Sequence, residues 1–88
     1  MTKTLRLVLD VLKPHKPNAL DFSSTLADLE ADYRVKLTVT EVDKQTESII
    51  LTIEGGDIKF ENIKNAIEKM GASVHSIDEV EVCGTKSA

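Results

Sequence analysis

From Leu5 to Leu12 the apolar positions alternate: Leu5, Leu7, Leu9 and Val11 face one way, and Arg6, Val8, Asp10 and Leu12 the other. A period of two marks a strand with one buried face, so a first strand is expected here. It is expected to stop at Lys13-Pro14-His15-Lys16-Pro17, because each proline lacks an amide donor and pushes the residue before it out of the helical region. The period then changes. Ala19, Phe22, Leu26 and Leu29 recur at helical spacing, behind Asn18 as N-cap and with Asp21 three positions on. This predicts a first helix from about Asn18 to Glu30, followed by Ala31-Asp32-Tyr33 as a connection. Val35, Leu37 and Val39 alternate with Lys36, Thr38 and Thr40, and Ile49, Leu51 and Ile53 alternate with Ile50, Thr52 and Glu54. The polar stretch Asp43-Lys44-Gln45-Thr46 between them makes the two runs a hairpin, stopped by Gly55-Gly56. Phe60, Ile63, Ala66, Ile67 and Met70 share one helical face, and Gly71 follows as a stop signal. Its start is ambiguous, since Asp57 could cap it whereas Lys59 is a poor cap. Val74, Val80 and Val82 mark a last strand, with Ile77 out of phase, as a bulge would place it.

Two amphipathic helices and four one-faced strands pack most simply as a layer of helices on a layer of strands. The expected fold is α+β and ferredoxin-like, βαββαβ, with an antiparallel sheet in the order 4-1-3-2 and both helices on one face. The other face would carry Val8, Leu12, Val42, Ile50 and Ile77 among charges and threonines. A partly apolar open face on so small a domain is expected to be a contact between subunits.

The 88 residues form one domain, 1–88, with 83–88 expected as a flexible tail. The net charge of −4 and only three aromatic residues (Phe22, Tyr33, Phe60) argue against nucleic acid, which asks for a basic surface and stacking platforms. No apolar run approaches the roughly 20 residues of a membrane span. The N-terminal run is short and interrupted by Arg6 and Asp10, unlike a signal segment. One cysteine, Cys83, excludes an internal disulfide and a CxxC metal site. Cytoplasmic location is the expectation.

Candidate chemistry centres on the two histidines. His15 follows strand one and His75 opens strand four, and these strands are expected to be antiparallel neighbours. Parity puts Asp10 and His75 on the open face, nearly opposite each other, with Asp78 three residues on. Two imidazoles and a carboxylate suit a divalent transition metal, so His15, His75, Asp10 and Asp78 form the candidate metal set. The plainer alternative is a surface His15 beside its prolines and a hydrogen-bonded edge His75. The acidic run Asp78-Glu79-Val80-Glu81 lacks calcium-loop spacing and reads better as a solvated face, with Arg6 paired across to Glu79 or Glu81. Gly55-Gly56-Asp57 reads as a turn, since Asp57 would repel an anion at the helix start. Neither Cys83 nor Ser23-Ser24-Thr25 sits in a nucleophile context, and no triad can be assembled.

The stretch Leu7-Val8-Leu9-Asp10-Val11-Leu12-Lys13-Pro14-His15 and the stretch Val74-His75-Ser76-Ile77-Asp78-Glu79-Val80, with Glu41-Val42-Asp43 and Thr52-Ile53-Glu54-Gly55, resemble the signature segments of an archaeal family known only as domain of unknown function 211. The resemblance runs from about Leu5 to Val82. It implies a small ferredoxin-like protein that assembles as ring-like homo-oligomers, and it carries over no catalytic residues. The function expected first is a homo-oligomeric ligand-binding or regulatory module with Val8, Leu12, Ile50 and Ile77 on its oligomer face. A divalent-metal-binding protein comes second, and an enzyme with a site between subunits third.

Overall fold

The computed structural model describes residues 1–85. Six elements follow one another: β1 (Thr2–Pro14), α1 (Ala19–Ala27), β2 (Arg34–Val42), β3 (Thr46–Glu54), α2 (Phe60–Lys69) and β4 (Ser73–Gly84). The strands form one antiparallel sheet in the order β2-β3-β1-β4, the expected arrangement. The inward rows Leu7, Leu9 and Val11 of β1 and Ile49, Leu51 and Ile53 of β3 are buried. They pack in one cluster with Phe22 and Leu26 of α1 and Ile63 and Ile67 of α2. Both helices therefore cover the same side of the sheet, and the α+β ferredoxin-like expectation holds.

The helix ends follow local chemistry in part. Asn18 caps α1, its Oδ1 accepting the Asp21 amide at 2.8 Å. The helix stops at Ala27, three residues short of the expected end. The chain unwinds through turns closed by Leu29 N–H to the Leu26 carbonyl and Tyr33 N–H to the Glu30 carbonyl. These turns bring the Tyr33 ring back into the core, where its hydroxyl accepts the Lys59 amide at 2.9 Å. That contact explains how α2 begins behind Lys59 as an N-cap with no side-chain cap bond: an amide orphaned at the helix start is satisfied from another element. At the far end, the Gly71 amide donates to the Glu68 carbonyl and the Ala72 amide to the Ile67 carbonyl. Gly71 sits at φ 85°, the left-handed conformation this helix stop requires.

Three expectations are corrected. β1 does not end before Lys13 but continues through Pro14, with Lys13 opposite Glu47 and Pro14 opposite Thr46. The last pair of β1 with β4 is Leu12 with Ser73, so Pro14 has a strand neighbour on one side only and its missing donor is not needed. Cys83 and Gly84, read as tail, lie in β4 opposite Lys3 and Thr2, and the rest of that tail, 86–88, lies outside the described residues. Ile77 is opposite Leu9, and directly opposed residues share a face, so its row is the helix-facing one rather than the open one. The reason is a pair of irregularities in β4. Asp78 and His75 are each an extra residue against β1, and each reverses the alternation.

Candidate functional site

The open face carries a hollow of about 320 Å³ lined by Asp10, Val11, Leu12, Ser48 and His75. Leu12 pairs with Ser48 across β1 and β3, and Asp10 pairs with Ser76 across β1 and β4. His75 lies between the Asp10–Ser76 and Val11–Val74 pairs as the bulged residue. Asp10 and His75 thus line the same hollow. A carboxylate, an imidazole and a hydroxyl around an apolar wall can bind a small polar ligand.

Asp78 and His15 are not part of that hollow. Asp78 accepts the Ser76 hydroxyl at 2.6 Å. His15 is held on the other side of β1, beside β3. Its Nδ1 is 3.0 Å from Glu47 Oε2, and its Nε2 is 2.9 Å from the Asp43 carbonyl and 3.0 Å from that of Lys44. A histidine that binds a metal must offer a ring lone pair. Both nitrogens of His15 face oxygen acceptors, so His15 leaves the proposed metal set. Among the described residues, no three His, Cys, Asp or Glu side chains come together in a way that could hold a metal ion. Within one chain the candidate set is thus reduced to Asp10 and His75.

Around His15 is a network that the sequence reading missed. Lys13 is fully buried, continuing the inward row of Leu7, Leu9 and Val11. Its Nζ reaches Glu47 Oε1 at 3.2 Å and the Pro14 carbonyl at 2.8 Å, and lies 5.7 Å from the centre of the Phe22 ring. Glu47 therefore serves both Lys13 and His15, one with each oxygen. The Glu47 carboxylate first, then the Lys44 carbonyl, raise the His15 pKa above the usual imidazole value; desolvation opposes them, and the Asp43 carbonyl adds a lesser upward push. In return His15 first, and Lys13 second, hold the Glu47 pKa below the usual carboxylate range. A signal for Lys13 was present. Extending the alternation two residues past Val11 places it in the buried row, and the antiparallel β1–β3 register supplies Glu47 as partner.

The other candidates are accounted for by contacts within the chain. Arg6 bridges Glu79 at 2.8 Å, as the strand-face reading anticipated, and also Glu54 at 3.1 Å, which it did not. The Gly56 amide donates to Asp32 Oδ2 at 2.7 Å, so the amide that an anion would need there is engaged by the protein's own carboxylate. Cys83 is exposed. A hollow of about 420 Å³ between α1 and α2 is lined by Thr25, Leu29, Ala66 and Met70 with Asn62, Asn65 and Lys69, without a carboxylate or imidazole. No helix among the described residues is long and apolar enough to cross a membrane.

Comparison with known proteins identifies a family and adds no chemistry. The chain is 47% identical over 81 residues to "Uncharacterized protein MJ0319" of Methanocaldococcus jannaschii, an alignment covering 92% of this chain and 82% of that protein. Residues 5–87 match the model of a family described as "Uncharacterized ArCR". That match spans both histidine-bearing segments and both halves of the fold, and the chain belongs to this archaeal family, domain of unknown function 211.

Proposed function

We propose that this protein is a homo-oligomeric binding module without chemistry of its own. The observation that carries this reading is the outer strand. β4 runs 12 residues at the edge of the sheet. Its helix-facing row Ile77, Val80 and Val82 is about half exposed, at 47%, 52% and 49%. An edge strand has backbone donors and acceptors to spare, and an apolar row beside them is a liability unless it is covered. A second copy of the chain is the occupant proposed here, because the opposite edge, β2, also ends in exposed apolar residues, Val39 and Val42. Val8, Leu12 and Ile50 of the open face lie on the adjoining surface of the same sheet. The ligand in this reading is a small polar molecule in the hollow of Asp10, Ser48 and His75.

Light scattering after size exclusion tests the assembly. The wild type is expected to elute as a multiple of the 9.7 kDa chain, and Val80→Lys is expected to reduce the mass by setting a charge into the apolar row. A monodisperse wild-type monomer at micromolar concentration would overturn the proposal.

A second reading, divalent-metal binding, has one observation in its favour: Asp10 and His75 face the same hollow. Two protein donors leave a transition metal's coordination incomplete, so further ligands have to come from water or another copy. Equilibrium dialysis against a panel of divalent ions decides it. Binding that His75→Ala abolishes supports the reading, and binding that His75→Ala leaves unchanged removes this site.

A further inference from the structure

The groups that meet the His15 ring all accept hydrogen bonds. Glu47 Oε2 faces Nδ1, and the carbonyl oxygens of Asp43 and Lys44 face Nε2. A neutral imidazole has one N–H and one lone pair, so either tautomer would set a lone pair against an oxygen. The imidazolium, with two N–H donors, satisfies both sides at once. We propose that His15 is a proton-gated clasp: protonated, it ties the turn between β2 and β3 to the end of β1, and neutral, it lets one of the two sides go.

The surroundings of the ring are mixed in charge. From β3, Glu47 favours the proton. From β1, the Lys13 ammonium occupies the other oxygen of that carboxylate at 3.2 Å and opposes it. The turn supplies Asp43, whose carboxylate accepts the Lys44 amide, and the Lys44 side chain, which opposes protonation. Lys16 follows in the chain with the same sign. α1 contributes the uncharged Phe22 ring beneath Lys13. The Glu47 hydrogen bond is the largest influence, the carbonyls aimed at Nε2 add to it, and the His15 pKa is raised in the direction this predicts.

The segment under control is short and well defined. The Asp43 amide closes the turn on the Thr46 carbonyl at 2.8 Å. Next to it Val42, at the end of the edge strand β2, is 67% exposed. Deprotonation loosens this corner while the Lys13–Glu47 pair continues to hold β1 to β3. The inference stands whether or not the chain assembles.

The test uses the full chain labelled with ¹⁵N. Long-range proton–nitrogen spectra of the two imidazoles are followed from pH 5 to 9, with His75→Asn assigning the His15 signals. Exchange of the Asp43 amide is measured over the same range and corrected for base catalysis. The His15 midpoint is expected above the ordinary 6.5 and is expected to fall in Glu47→Gln. Asp43 exchange is expected to rise about tenfold across that midpoint, the effect of losing roughly one charged hydrogen bond. In His15→Ala, whose half-buried position lies outside the core cluster, exchange is expected to be fast throughout. A wild-type midpoint at or below 6.5, or Asp43 exchange that neither pH nor His15→Ala alters, would overturn the clasp.

Discussion

Glu47→Leu is the substitution that most directly tests how the buried end of β1 is held. Lys13 is wholly out of solvent, with a carboxylate oxygen at 3.2 Å, one carbonyl at 2.8 Å and an aromatic ring for company. Removing the carboxylate strands an ammonium in the interior. Breaking a buried pair from one side costs about 3–5 kcal/mol. The lower end applies, about 3 kcal/mol, because the Pro14 carbonyl and the Phe22 ring remain. Lys13→Met removes the other partner at smaller cost, about 1 kcal/mol, because Glu47 is 18% exposed and keeps His15 and water. The double variant puts two apolar side chains where the pair was. It is expected within about 1 kcal/mol of wild type, since apolar replacement of a buried pair is often neutral. The coupling energy of the cycle is then about 3–5 kcal/mol.

Urea unfolding followed by circular dichroism measures all four proteins at one concentration, which keeps assembly from entering the comparison. For a domain of this size the slope is about 1 kcal/mol per molar urea, so Glu47→Leu should move the midpoint down by about 3 M. His15→Ala, run alongside, subtracts the part of the loss that belongs to the clasp. Two results refute the reasoning: a Glu47→Leu loss under about 1 kcal/mol, or a double variant whose loss is the sum of the single ones.

Three further outcomes follow from named contacts. Asn18→Ala removes the acceptor for the Asp21 amide and should cost about 1 kcal/mol in the same unfolding assay, with Asn18→Asp restoring most of it. Gly71→Ala places a Cβ at φ 85° and should cost about 1–2 kcal/mol, although the nearest atom to that Cβ, Pro14 Cγ at 3.6 Å, leaves it room. The His15 pKa is raised, so its contribution is complete below its ordinary 6.5 and is lost as pH rises through the folded value. The Glu47 pKa is lowered, so its contribution is complete above its ordinary 4.5 and is lost as pH falls through the folded value. Melting temperature should therefore gain most from this network between about pH 4.5 and 6.5, and His15→Ala should flatten the alkaline side of the profile; an unchanged alkaline slope would contradict it.

The fold was legible because two periods carry it, and both depend on the chain alone: alternation in β1, β2 and β3, and helical spacing in Phe22 with Leu26 and Ile63 with Ile67. What the periods cannot express is an inserted residue. Asp78 and His75 each add one residue to β4, and after each the alternation resumes on the other face. Ile77 thus changed sides, and His75, the second inserted residue, lines a hollow with Asp10. The helix start at Lys59 was illegible for a different reason. Its partner is the Tyr33 hydroxyl, 26 residues away, and no local cap marks it.

The network at His15 combines both kinds of difficulty. Its lysine was readable, since a charge at position 13 of an apolar row either ends the strand or is buried with a partner, and Glu47 waits in register for the second case. Pro14 argued for the first case, and a proline does end a strand that needs its donor. Here the neighbouring strand stops at Ser73, so the donor is not needed and the buried alternative stands. The partners of the imidazole itself include two backbone carbonyls, which every residue possesses and no composition reveals. A sequence can therefore nominate a histidine as a ligand for a metal, but only the geometry of its acceptors decides whether it has a lone pair left to give. At His15 it has none, and the same fact that removes it from a metal site makes its proton the element that holds the turn.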